Sequence, residues 1–281
     1  MVALTERQEK LKEAFLNRDW NPAGRTLAPF WDIMLRLDPD YFEAAEKLID
    51  THWKLPVLDP KTRELIYLAL ASHVTLRYVD GIRSHMTKAK KHGATPHEIM
   101  EVLELTSVIG LHGPDLGVPI LMEELARLGR PVDAEPYSER QLRLKEYFTT
   151  TGPRPRAWAP LYEGLLRLDA DFFEVMLQFI DAPWDHGVLT PKVKELIYVA
   201  IDVTCTHLNG TGLRRHIQKA LGEGATPQEL MAVMEIAVGP SMINSATALP
   251  ILVELYGPAD QLAHVDLKKA NGQPRKETES R

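Results

Sequence analysis

A single offset organises this chain. LDPDYFEAAEKLID, beginning at Leu37, returns as LDADFFEVMLQFID at Leu168. KTRELIYLAL then returns as KVKELIYVAI, KHGATPHEIMEVLEL as GEGATPQELMAVMEI, and VPILMEEL as LPILVEL, always 131 residues later. Upstream, LKEAF at Leu11 and LKEYF at Leu144 stand 133 residues apart, which leaves a two-residue gap before the register locks. A sequence that repeats itself at this length encodes one structural unit twice. The units are repeat 1 over residues 1–131 and repeat 2 over residues 132–267. The polar stretch at 268–281 (KKANGQPRKETESR) is expected to be a disordered tail.

Punctuation decides what each unit is made of. In Gly93-Ala94-Thr95-Pro96-His97-Glu98 a glycine suits the left-handed position that ends a helix. Thr95 then caps the next helix, Pro96 opens its first turn, and Glu98 closes a capping box. Gly224, Thr226, Pro227 and Glu229 repeat the device, and Thr190-Pro191 is a further helix start. No two-residue hairpin signal joins alternating strands, and Asn209-Gly210 leads into GLRRHIQKAL, a helical pattern. The fold class is all-α: two tandem helical-bundle repeats related by a pseudo-twofold axis.

Composition narrows the function classes. Lys and Arg number 33 against 39 Asp and Glu, a net charge of -6, so no dominant basic face is available for nucleic acid. A single cysteine excludes an intramolecular disulfide, a thiolate zinc site and a dithiol redox pair. The N-terminus has no apolar signal region, and the uncharged run Ile236–Val253 is interrupted by Pro240, Asn244 and Pro250. A soluble cytoplasmic protein without a membrane partner is expected.

The repeat also filters the candidate site residues. Among ten histidines only His85 and His216 coincide at the offset; His73 faces Thr204, His92 faces Glu223, His97 faces Gln228 and His112 faces Ile243. A metal site from His85, His92 and His97 would exist in one half only, with spacings that miss a common helix face, so no metal is expected. His85 and His216 each read either as a histidine that fixes a helix start or as a general acid/base. Glu64 and Glu195 are the second repeated pair, either first-turn carboxylates favoured by the helix dipole or inward groups beside the histidines. Glu104 and Glu235 form a third pair, expected on helix surfaces. Trp53 and Trp184 coincide and are expected to be core anchors, and Cys205 a small buried hydrophobe.

The ordered set of Glu64 in an E-L-I-x-L-A helix, His85 eight residues before Gly93-Ala94-Thr95, and the capped helix from Glu98 through Glu101-Val102-Leu103 resembles the carboxymuconolactone decarboxylase and alkylhydroperoxidase D superfamily. Glu195, His216, Gly224-Ala225-Thr226 and Glu229 repeat the resemblance in the second copy. The peroxidase branch of that family carries a Cys-x-x-Cys pair seven and four residues before the histidine. Those positions hold Tyr78 and Gly81 in the first copy and Asn209 and Gly212 in the second, so thiol peroxidase chemistry is disfavoured.

The resemblance to the decarboxylase branch implies a lyase or isomerase that needs no cofactor and acts on a small lactone or oxoacid. It implies His85 and His216 with Glu64 and Glu195 as catalytic groups. Tyr78, Asn209, Arg83 and Arg215 (with Arg214) would line the substrate site. The competing readings are a non-catalytic scaffold, or a small-molecule binding protein on the same fold. Single-copy members of the family assemble as hexamers, which implies that three fused chains form a pseudo-hexameric homotrimer.

Overall fold

A computed structural model describes residues 3–18, 27–53, 56–133, 135–152 and 154–262. The tail expected to be disordered, 268–281, lies outside the described residues. Among the described residues there is no strand. The helices run α1 (Glu6–Leu16), α2 (Pro29–Leu37), α3 (Pro39–Trp53), α4 (Pro60–Ser72), α5 (Val79–Lys91), α6 (Pro96–Ser107) and α7 (His112–Arg127) in the first copy. The second copy continues with α8 (Glu139–Glu146), α9 (Pro160–Leu168), α10 (Ala170–Asp185), α11 (Pro191–Val203), α12 (Gly210–Gly222), α13 (Pro227–Val238), α14 (Ile243–Tyr256) and the short α15 (Ala259–Leu262).

The boundaries follow the caps written in the sequence. Thr95 accepts a hydrogen bond from the Glu98 amide at 3.2 Å while the Glu98 carboxylate accepts from the Thr95 amide at 2.7 Å. Thr226 and Glu229 make the same pair of bonds at 3.1 and 2.7 Å. Gly93 and Gly224 hold φ of 84° and 82°, where a Cβ would be strained.

By packing, the described residues form two compact units, one within 59–233 and one from those within 3–58 and 234–262. In the larger unit α4 packs on α5 as α11 packs on α12, and α4 and α11 lie against each other. Between them they bury Leu65, Ile66, Leu68, Ala69, Leu196, Ile197, Val199 and Ala200. This explains why ELIYLALA and ELIYVAI are apolar nearly all round: each of these helices is covered on most sides. The larger unit also contains an aromatic cluster of Phe148, Leu161, Leu165, Leu166, Phe173, Met176 and Leu177, closed by Leu111 and Val118.

The smaller unit holds the matching cluster of Phe15, Trp31, Met34, Leu35, Phe42, Ala45 and Met242, with Leu249 packed on it. Met242 and Leu249 are the repeat partners of Leu111 and Val118. In both units, therefore, the three-helix bundle of one copy is closed by the last long helix of the other: α7 lies on α9, and α14 on α2.

Candidate active site

α4 and α11 each deliver a glutamate to a histidine on the next helix. The His85 Nδ1 lies 2.8 Å from Glu64 Oε2, and the His216 Nδ1 lies 2.6 Å from Glu195 Oε2. Both carboxylates are buried while the rings keep a partly open edge. Three residues after each glutamate, a tyrosine lies flat against the same imidazole. Tyr67 stacks on His85 with centroids 4.7 Å apart, and Tyr198 on His216 at 4.5 Å. The carboxylate fixes where the ring's proton sits, and the stacked ring fixes its plane.

Burial holds both imidazoles below the usual histidine pKa, opposed by the hydrogen bond and charge of the glutamate. The rings are therefore neutral near pH 7, protonated on the Nδ1 that donates to the carboxylate, with Nε2 free as an acceptor. Lys88 and Lys219, another repeated pair, are also held below the usual lysine range by burial, opposed by Glu64 and Glu195.

The other sequence-selected residues fall differently. Tyr78 and Asn209 occupy the N-caps of α5 and α12. Tyr78 makes no cap hydrogen bond and its ring lies over Gly81, where a Cβ would sit 2.4 Å from Tyr78 Cδ1. Asn209 accepts from the Gly212 amide at 3.1 Å, and its Nδ2 lies 3.3 Å from His112 Nδ1. Arg83, Arg214 and Arg215 are exposed, although the charge of Arg215 reaches His216 and Asp202. Glu104 and Glu235 are half-buried rather than on the surface.

Two further expectations need correction. Cys205 is exposed, in the turn between α11 and α12. Trp53 and Trp184 are half-buried rather than central. The Trp184 ring lies under the Arg154 guanidinium at 3.5 Å and stacks with Tyr198 at 6.5 Å. It thereby lines the outer side of the second dyad instead of anchoring a core.

Sequence reasoning missed a group beside the second dyad. Asp202 is buried on the last turn of α11, its carboxyl pushed by burial up to about 7. His112, at the start of α7, and His207, in the turn before α12, converge on it. Asp202 Oδ2 stands 4.0 Å from His216 Nε2. The equivalent positions in the first copy hold Ala71 and Leu76, and Ile243 is the counterpart of His112. The signal available in the sequence was this one-sided polarity; a filter that kept only duplicated residues discarded it.

Glu101, noted only as part of a motif, accepts from the Val188 and Leu189 amides at 2.6 and 2.8 Å and pairs with buried Lys194 at 2.6 Å. It ties α6 to the loop ahead of α11 and is structural. A concavity of about 770 Å³ between α8 and α10, bordered by Arg140, Glu174 and Asp185, is lined by none of the dyad residues.

Tandem helical repeats, each presenting a Glu–His dyad from neighbouring helices, define the class of protein. The carboxymuconolactone decarboxylase family model matches residues 39–111 and 170–254, and the chain belongs to that family. It is similar to the crystal structure of a protein from Burkholderia xenovorans LB400 proposed to be a gamma-carboxymuconolactone decarboxylase subunit. That similarity is 38% identity over 88% of this chain and 96% of the other, with a TM-score of 0.78. No curated protein matches the sequence significantly.

Proposed function

We propose that the chain is a carboxy-lyase or isomerase of a small lactone or oxoacid, working by histidine acid/base chemistry at the Glu64–His85 and Glu195–His216 dyads. The observation that carries this reading is the duplicated arrangement of carboxylate, imidazole and stacked tyrosine, with the imidazole neutral and its Nε2 unbonded to the glutamate. A neutral Nε2 takes a proton from carbon next to a carbonyl. The imidazolium so formed is stabilised by the buried carboxylate and returns the proton further along the conjugated system, which is an isomerisation. Where the substrate instead loses CO2, the imidazole first takes a proton from water on Nε2 and then delivers it to the carbanion left behind. Proton transfer of this kind contributes roughly 10²–10⁴-fold.

Arg215 and Lys219 supply positive potential around the second dyad, which suits a substrate carboxylate, and Asn209 and Tyr78 are proposed to line the two sites. The chain is further proposed to act in the cytoplasm as a homotrimer.

The test is solvent deuterium exchange into candidate lactones, muconate-type diacids and β-keto acids, followed by NMR, alongside CO2 release. His85→Gln and His216→Gln should each remove one site's contribution. The double variant should lose at least about 100-fold. Full exchange and turnover in the folded double variant would eliminate histidine acid/base catalysis.

A further inference from the structure

We propose that His112, Asp202 and His207 form a divalent transition-metal site beside the second dyad. This goes beyond the acid/base reading and does not depend on it.

The geometry is that of a ligand set. His112 Nδ1 and His207 Nε2 lie 2.5 Å apart, and Asp202 Oδ1 lies 3.9 Å from the first and 3.6 Å from the second. A point roughly 2 Å from all three atoms lies in the plane they define, a zinc–ligand bond length, and binding would part the two rings from their short contact to open the angle at the ion toward tetrahedral. Two imidazoles with one carboxylate suit zinc, cobalt, nickel or ferrous iron far better than magnesium or calcium.

Without an ion, one ring proton bridges the two imidazoles as a short hydrogen bond, and a cation would take its place. Two ring nitrogens that close must share either a proton or a cation. The Asp202 carboxylate is almost wholly buried, with the Asn209 amide as its hydrogen-bonding neighbour and Oδ1 facing the two rings. His73, itself buried, sets its ring edge-on to His207 at 5.7 Å and limits how that imidazole can turn. Gly212 completes the fit, because a Cβ there would lie 2.4 Å from Asp202 Oδ2.

The internal repeat supplies an independent argument. The first copy has Ala71 and Leu76 where the second has Asp202 and His207, and Ile243 is the repeat partner of His112. All three positions are polar in one set and apolar in the other. Residues kept for helix packing would be interchangeable between copies; a ligand set is present or absent as a whole. The side chains of His112 and His207 stay 22% and 14% exposed, so a fourth position is open to water or to a substrate oxygen. An ion there would sit within reach of a substrate on His216 and would polarise its carbonyl or carboxylate oxygen. Substrates with two neighbouring oxygens, such as oxoacids, fit that arrangement.

The experiment uses the full chain, stripped with chelator and titrated with Zn²⁺ by calorimetry and with Co²⁺ by visible absorption. One ion per chain is expected, with Co²⁺ giving d–d bands of a low-coordinate nitrogen/oxygen site. Asp202→Asn and His207→Gln should each weaken binding at least about 100-fold, since loss of a ligand costs no less than loss of its supporting shell. His112→Gln, at the most exposed ligand, provides the same test if the buried variants do not fold. His92→Gln and His97→Gln, on exposed residues, should bind as the parent does. Absence of stoichiometric binding would overturn the site. So would binding that survives His112→Gln in a protein with parental circular dichroism.

Discussion

A buried imidazole paired with a carboxylate is pulled two ways, and His85 shows which pull wins. Burial disfavours the charged ring more than Glu64 favours it, so the folded-state pKa lies below the usual value. An unfolded chain then binds a proton more readily than the folded one in the window below about 6.5. The stability His85 contributes is complete above that pH and is lost as pH falls through the folded-state pKa. An NMR titration of the His85 ring should give a midpoint below the model-peptide value. Glu64→Gln removes the charge that raises it and should move the midpoint lower still. A midpoint that rises in Glu64→Gln would mean that the carboxylate is not the partner of the ring in solution.

At the level of helices, small residues set how closely elements approach. Gly164 on α9 faces α7, and a Cβ there would come within 2.3 Å of Val118 Cγ1 and 2.5 Å of Met122 Sδ. Gly164→Ala should therefore destabilise by roughly 1–3 kcal/mol through overpacking, measured by denaturant unfolding. Thr95→Ala and Thr226→Ala should each cost about 1 kcal/mol through a lost capping box. A neutral Gly164→Ala would show that α7 and α9 do not pack this closely. The caps were legible because the chemistry lies within four residues: Thr95 needs only Glu98. The Glu64–His85 pairing was legible in part, since duplication selected both residues, but their contact depends on how α4 meets α5. The position of His112 was not legible. It reaches Asp202 across 90 residues of chain, through a helix that one copy lends to the other, and no local pattern encodes that exchange.

For the whole molecule, the decisive feature is what one chain leaves uncovered. No residue of α7 or of α14 is buried, and Leu116, Ile120, Leu121, Ile251 and Leu255 are exposed. Two continuous stretches, Pro96–Arg127 and Pro227–Tyr256, are long and apolar enough on composition to cross a membrane. Each is broken by a 3₁₀ turn, Val108–Leu111 or Gly239–Met242, and no single α-helix in them exceeds 16 residues, short of the roughly 20 a membrane span needs. Apolar faces of this kind are better covered by further copies of the same chain. Light scattering at micromolar protein should give about 95 kDa for a trimer of 31.7 kDa chains. Leu116→Glu combined with Ile120→Glu should lower that mass toward one chain while leaving the helical circular dichroism intact. A parent mass that stays near 31.7 kDa on concentration would discard the trimer. A chain that requires detergent to stay in solution would instead assign these faces to lipid. The first outcome would leave each dyad and the Asp202 cluster to function within a single chain, as every residue argued for them lies in residues 59–233.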